Sequence, residues 1–293
     1  MIHFRPAHQH DLRSMYEVFY QNEVLDSLDP PAMGDAPSYL QHILQTGTMY
    51  VAEQDGDVLA FAGVITRGSV TFLTDLFVKP TQQSNQLGKT LLRAVLPQNT
   101  HIRCTESSSD PRALALYTRE GMRPQWPYFG LRLQKPVREM ASNHDVEIVE
   151  ADVDDSELVR WDAQVSGRER PGDSRFWIQQ QRAIPLWFRR QQHIIGYGYV
   201  RVGAGTLWYP GACTIGPLGV SNPEDATACV LAAVHVALHH ADVLRIDVPG
   251  PHPALAALLE KSFRIVGVDT FMSSAPDPFF DPRCYIPSGG DLL

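Results

Sequence analysis

At 293 residues the chain is about twice the ~150 residues typical of one domain, so two domains are expected, each burying its own core. Its 44% hydrophobic and 20% charged residues exclude a disordered or collagen-like polymer, and no apolar run approaches the ~18 residues of a membrane span. The net charge of −8, split as −1 over residues 1–139 and −7 over 140–293, argues against nucleic acid as the main partner, because neutralising phosphates needs a basic surface. Met1 to Arg5 lacks the charged head and apolar middle of an export signal, so a cytoplasmic location without a membrane partner is expected. Cys104, Cys213, Cys229 and Cys284 are widely spaced and read as buried thiols.

In chain order, Ile2–Ala7 reads as a strand followed by an acidic turn at Asp11 and a helix. Met49–Ala52 and Val58–Ile65 flank Asp55-Gly56, a pair suited to the positive φ angles of a tight hairpin. Val70–Val78 is rich in β-branched and aromatic residues, and its strand ends at Pro80. A polar loop leads into a helix over Gly88–Val95, then a strand at His101–Thr105 and a helix from Pro111 to Glu120. Pro136–Asp145 lacks periodicity and reads as a linker. The outline then repeats after about 144 residues. Val146–Ala151 is a strand; Ile194–Val200, Thr206–Tyr209 and Ile215–Leu218 are further strands; Pro223–His240 is a helix, Val243–Val248 a strand and Ala254–Phe263 a helix. The expected class is α/β, with two similar domains at 1–137 and 146–293 joined by a linker at 138–145. Each is a mixed, mostly antiparallel sheet flanked by helices.

The segment Val78-Lys79-Pro80-Thr81-Gln82-Gln83-Ser84-Asn85-Gln86-Leu87-Gly88-Lys89 carries the chemistry. A polar loop that leaves a strand and enters a helix presents unpaired backbone N–H groups and the positive end of the helix dipole, an arrangement that holds anions such as pyrophosphate. Further on, Asp110 stands at a helix N-cap, Tyr117 near the end of that helix and Gly121 where it stops. Together these segments resemble the GNAT (GCN5-related N-acetyltransferase) family. Its pyrophosphate loop, [Q/R]xxGxG/A after a strand ending V-x-P, is met by Gln83 to Gly88 after Val78-Lys79-Pro80. Its later motif is met by Asp110, Ala113, Leu116, Tyr117, Gly121 and Met122. Gln86 stands where the family has its first glycine, Asp110 where it has an Asn, and Met122 where it has a Phe.

The resemblance implies acetyl-CoA as acyl donor, no metal, and transfer of the acetyl group to a primary amine of a small molecule or peptide, directly within a ternary complex. Leu76, Phe77 and Val78 would bind the pantetheine arm. Gln83, Ser84, Asn85, Gln86, Leu87, Gly88 and Lys89 would hold the pyrophosphate, with Asp110 at the following helix. Tyr117 would protonate the departing thiolate. Asp75 and Glu106 are candidates for the general base that the amine needs, with Glu53 a third carboxylate on a neighbouring strand. The second half has no such loop: after Leu218 it reads Gly219-Val220-Ser221-Asn222-Pro223-Glu224-Asp225, and the residue matching Tyr117 is Leu258. It resembles a degenerate copy, leaving the N-terminal domain as the active one. The other reading is a non-catalytic acyl-CoA-binding or ligand-sensing protein; a monomer and a homodimer are equally compatible with the sequence. His235 and His239 share metal-ligand spacing without a third ligand and read as a solvated helix face. Trp161, Trp177, Trp187 and Trp208 read as packing residues.

Overall fold

The computed structural model describes residues 1–83, 86–96, 101–134 and 145–293. Its contacts divide the chain into two compact units, Met1–Thr105 with Leu292 and Glu106–Asp291 with Leu293. The expected linker lies outside the described residues except for Asp145.

The first unit runs β1 (His3–Pro6), α1 (Leu12–Glu23), α2 (Ser38–Thr46), β2 (Thr48–Gln54), β3 (Asp57–Arg67), β4 (Val70–Val78), α3 (Leu87–Val95) and β5 (Ile102–Ser107), which leaves the unit after Thr105. Its strands lie in the order β1-β2-β3-β4-β5, antiparallel except for the β4–β5 pair. Asp55 and Gly56 turn the β2–β3 hairpin with φ of 54° and 84°, as the pair predicts. The inward faces of β3 and β4 meet α3, which buries Leu87, Leu91, Leu92 and Val95 at helical spacing. Arg5 ties β1 to its neighbours, donating to both oxygens of Asp11 at 2.7 and 2.8 Å and to Glu53 at 2.8 Å. Helix α2 was not foreseen from the sequence.

Two irregularities shape β4. Its register with β3 shifts between Gly63–Asp75 and Val64–Leu73, so Thr74 is an extra residue that bulges the strand. Its parallel ladder with β5 covers Val70 to Leu73 and then stops. Past the bulge, the β5-side edge of Thr74–Val78 pairs with no strand among the described residues.

The second unit contains α4 (Pro111–Arg119), β6 (Arg123–Gln134), β7 (Glu147–Glu150), α5 (Ser156–Ser166), α6 (Pro171–Gln180), β8 (Ala183–Arg190), β9 (His193–Arg201), β10 (Cys213–Val220), α7 (Pro223–Ala237), β11 (Val243–Pro249), α8 (Ala254–Glu260), β12 (Arg264–Ser273) and β13 (Tyr285–Ile286). The strand order is β12-β6-β11-β10-β9-β8-β7, with β13 on β10 and β10–β11 the parallel pair. Strand β6 follows the first sequence motif, yet it is held between β11 and β12 by long antiparallel ladders, which is why residues 106–134 group with this unit. Alanines, valines and Cys229 of α7 pack on this sheet to form its core.

Thr206–Tyr209, expected as a strand, is instead a closed turn in which Thr206 and Tyr209 exchange both backbone bonds at 3.1 Å. Strands β6, β8, β12 and β13 were not foreseen from the sequence, and Pro185 obscured the pattern of β8. The core of this unit also encloses an ion pair. Arg170, fully buried, donates to both oxygens of Asp162 at 2.7 Å, to the Tyr285 hydroxyl at 2.5 Å and to the Leu293 backbone oxygen at 2.6 Å. Tyr197 also donates to Asp162, at 2.7 Å. Removing one partner of such a pair strands the other charge in the interior, so Arg170→Met is expected to cost about 3–5 kcal/mol in urea unfolding. Replacing Arg170 and Asp162 together by apolar residues is expected to cost less than either single change.

Candidate functional site

In the first unit the candidate residues gather where β4 runs into α3. Leu76, Phe77 and Val78 lie on the strand segment past the bulge and pair with Ala62, Phe61 and Ala60 of β3. Phe77 stacks on Phe61 at 5.7 Å between ring centroids and meets Phe19 of α1 edge-on at 5.1 Å, so the strand end is held from beneath by aromatic packing. Asn22 of α1 fixes the exit from the strand: its Nδ2 donates to the Val78 carbonyl at 3.0 Å, and its Oδ1 accepts from Gln83 Nε2 at 3.2 Å. Sequence reasoning did not single out Asn22. Its signal is only that it lies on the helix preceding the sheet.

Gln86 opens α3 in a left-handed conformation, φ 62° and ψ 6°, at the position where the family motif has glycine. Among the described residues no side chain caps this helix, and no acidic residue lies in its first turn. The N–H groups of Leu87, Gly88 and Lys89 therefore have no partner within the helix and carry the positive end of its dipole. Leu87 turns its side chain into the core, so its backbone is what it can offer an anion; Lys89 and Thr90 are exposed. Ser84 and Asn85 lie outside the described residues.

Asp75 is buried beside the bulge. Its Oδ1 accepts from Tyr39 of α2 at 3.1 Å and its Oδ2 from the Thr74 hydroxyl at 2.7 Å, so the carboxylate joins α2 to the bulged strand. Glu53 is engaged by Arg5.

The second unit holds Glu106, Asp110 and Tyr117. Asp110 caps α4 by accepting from the Arg112 backbone N–H at 2.8 Å and pairs with the Arg112 guanidinium at 2.7 Å, which holds its carboxyl below the usual range. Tyr117 is a buried residue of α4, and Gly121, with φ 91°, ends the turn after it.

Glu106 has the most unusual surroundings of the candidates. Its Oε1 is buried with no hydrogen-bond partner among the described residues. Burial, reinforced by the carboxylates of Asp247, Asp269 and Asp291, pushes its carboxyl well above the ordinary range, against the opposing charge of Arg168. The same crowding raises Asp247 and brings Asp269 to about 6. Strand register supplies two of these acids: Asp247 of β11 lies opposite Gly130 of β6, and Asp269 of β12 opposite Tyr128. The chain end supplies the third, and Gly290 is so close that a Cβ there would lie 3.4 Å from Glu106 Oε2. Arg201 compensates part of this charge, lying 3.6 Å from Asp291 and donating to Gln181 at 2.7 Å and to the Ser288 carbonyl. Sequence reasoning found Glu106 but not Asp247, Asp269 or Asp291, which come from positions more than 140 residues away.

Among the described residues no group of three or more His, Cys, Asp and Glu is arranged to hold a metal ion. His235 and His239 stack edge-on at 5.0 Å, and His239 Nδ1 lies 2.9 Å from the His235 carbonyl. No described helix is long and apolar enough to cross a membrane.

In each unit an antiparallel meander is followed by a parallel crossover; in the first the bulged strand precedes a helix that the Gln86 side chain does not cap, and in the second Asn222 caps the corresponding helix. Two family profiles match the sequence: the acetyltransferase (GNAT) family over residues 10–122 and an acetyltransferase (GNAT) domain over residues 158–274. The chain belongs to the GNAT family of acetyltransferases, as a tandem member. No curated protein matches significantly. Among solved structures, a candidate acetyltransferase of Pyrococcus horikoshii superposes with a TM-score of 0.75 at 15% identity, covering 100% of this chain and 96% of that one. A GCN5-related N-acetyltransferase from Sphaerobacter thermophilus gives a TM-score of 0.65 at 15% identity, covering 96% and 98%. A tandem GNAT protein of the clavulanic acid biosynthesis pathway gives 0.63 at 13% identity, covering 95% and 100%.

The left-handed backbone at Gln86 has a direct test. A residue with Cβ pays about 1–2 kcal/mol for this conformation, and glycine recovers that at the expense of greater freedom in the unfolded chain. Gln86→Gly is therefore expected to leave thermal stability within about 1 kcal/mol, while the β-branched Gln86→Val is expected to lower it by more than that.

Proposed function

We propose that the chain is an acetyl-CoA-dependent N-acetyltransferase in which the first unit binds the donor and the acetyl group passes directly to a neutral primary amine within a ternary complex. Membership of the family gives acyl transfer from acetyl-CoA. The observation that carries the finer reading is the edge of β4 past Leu73, which pairs with no strand among the described residues, together with the N-terminus of α3, which the Gln86 side chain does not cap. An extended, amide-containing arm such as pantetheine can pair with Leu76–Val78 as an added strand would, while the pyrophosphate takes the N–H groups of Leu87, Gly88 and Lys89. Gln83, whose Nε2 donates to Asn22, is assigned to the pyrophosphate together with Ser84, Asn85 and Gln86.

In the reaction the amine nitrogen attacks the thioester carbonyl, the C–N bond forms, the C–S bond breaks, and the thiolate takes a proton. We assign that proton to the Tyr117 hydroxyl, which keeps it until a base as strong as a thiolate forms. The amine arrives as an ammonium ion and must lose a proton before attack. Glu106 suits this role better than Asp75, because both oxygens of Asp75 already accept hydrogen bonds, whereas Glu106 has an unpartnered oxygen and a raised pKa. The surrounding Asp247, Asp269 and Asp291 favour a cationic acceptor, and cytoplasmic acetyl-CoA would supply the donor.

Tyr117→Phe is expected to lower kcat by about 10²-fold or more while leaving acetyl-CoA affinity unchanged. Turnover absent in the unmutated protein across a panel of amines, with acetyl-CoA still bound, would instead make it a binding or sensing protein. With Glu106 as base, kcat/KM rises with pH through an apparent pKa above the usual carboxylate range. Glu106→Gln should abolish that limb, and Asp269→Asn should move it to lower pH, because it removes a negative charge that keeps Glu106 protonated. The ammonium of the acceptor contributes a limb common to all three proteins. An unmoved profile in both variants would exclude Glu106.

A further inference from the structure

Strand β10 occupies in the second unit the place that β4 holds in the first: antiparallel to the strand before it and parallel, through a crossover helix, to the strand after it. The two strands share the same irregularity. The β10–β11 ladder covers Cys213, Thr214 and Ile215 and then stops, and the β9–β10 register shifts between Ile215 and Leu218. Beyond that point β4 leaves its edge open, but β10 does not. Leu218 and Gly219 pair antiparallel with Ile286 and Tyr285 of β13, and Val220 N–H donates to the Cys284 carbonyl at 2.9 Å. Because β9 lies on the opposite edge, β13 fills the edge that β11 has left.

The filling is close and deeply anchored. Tyr285 and Ile286 are fully buried. Gly216, at φ 127°, lies so near the Pro287 carbonyl that any Cβ there would collide with it. The Tyr285 hydroxyl accepts from Arg170 at 2.5 Å and donates to the Leu293 backbone oxygen at 3.1 Å, an oxygen that also accepts from Arg168. The neighbouring helix end is closed as well. Asn222 caps α7 by accepting from Glu224 N–H at 3.1 Å, Pro223 at the first position has no N–H to offer, Glu224 and Asp225 place negative charge in the first turn, and Asp225 is paired with Arg190. Among the described residues helix α3 has neither a side-chain cap nor a first-turn acid.

We infer that β13 is a built-in occupant of the second copy's ligand edge, so that the second copy is permanently closed to acyl-CoA and each chain takes a single acyl-CoA, in the first unit. This rests on the reading of the β4 edge as the donor site and extends it to the other copy. The segment after β13 gains a separate use from being anchored: Ser288 to Asp291 run on to Arg201 and Glu106, so the chain that fills the edge also delivers Asp291 to the buried acids.

The test combines calorimetric titration of the full chain with acetyl-CoA and hydrogen exchange with and without the ligand. The expected result is one acetyl-CoA per chain, protection appearing within residues 74–96, and exchange at Val220 and over 284–288 as slow as at Cys213–Ile215 and unaltered by ligand. Two acetyl-CoA per chain, or a change in exchange over 218–220 and 284–288 on binding, would overturn the inference. If no acetyl-CoA binds, the donor-site reading fails. Exchange in the free chain still decides the inference: slow exchange at Val220 and 284–288 supports a filled edge, and exchange at the rate of an exposed loop refutes it.

Discussion

The architecture depends on a parallel strand pair that is allowed to run for only three or four residues. A β-strand edge presents unpaired N–H and C=O groups, and a buried edge left without partners is costly, so a strand that loses its neighbour midway must find another. The bulge at Thr74 and the register shift between Ile215 and Leu218 mark where the neighbour is lost. In each unit the rest of the arrangement follows from how that edge is answered. Among the described residues, β4 ends in an edge that pairs with no further strand, propped by Phe61 and Phe19, and no side chain caps the helix that follows. β10 is answered by β13, and its following helix by Asn222. One backbone geometry thus leaves an open edge in one unit and a closed core in the other, where the chain supplies its own strand.

The charge split of −1 and −7 acquires a physical location. Part of the acidic excess of the second half is interior: Asp247 and Asp269 project from β11 and β12, and Asp291 from the final segment, towards Glu106. Taking carboxylates out of water favours their protonated forms, which is why Asp269 sits at about 6 and Glu106 higher than an ordinary carboxyl. Arg201, buried beside Asp291, offsets only part of this, and its own charge is disfavoured by burial. Such an arrangement weakens the fold near neutral pH. Under the proposed role of Glu106, the compensation would be chemical: a carboxyl with an elevated pKa and an unpartnered oxygen is a better base toward an ammonium ion than an isolated glutamate.

What the sequence revealed was local. The Asp55-Gly56 hairpin, the Asp110 cap and the stop at Gly121 each depend on a few consecutive residues with special backbone demands, and each is found where expected; the helix expected from Gly88 starts one residue earlier, at Leu87, after the left-handed Gln86. Pairing across long separations was not legible. β6 carries Pro124 and Pro127, and its partners lie more than 100 residues away; β13 is two residues long and has no pattern of its own. Thr206–Tyr209 carried strand-like residues but satisfied its backbone within a single turn. The candidate site divides in the same way. The junction before α3 was readable because it is contiguous, while the acids around Glu106 are assembled by register and could not be read from spacing.

The absence of a phosphate-loop motif in the second half is therefore only half of its difference from the first. Loss of the loop alone would leave an open strand edge and a helix with unpaired N–H groups, a surface still able to hold a weaker extended ligand. Filling the edge alone would leave an anion site. Here both are closed by independent means, one by a strand folded back from beyond β12 and the other by a side-chain cap with acids behind it. Reopening the second copy would require displacing a segment fixed by Arg168, Arg170 and the Gly216–Pro287 contact, and the same displacement would withdraw Asp291 from Glu106. The closure of one copy and the composition of the acid cluster are thus coupled through a single stretch of chain, Cys284 to Asp291.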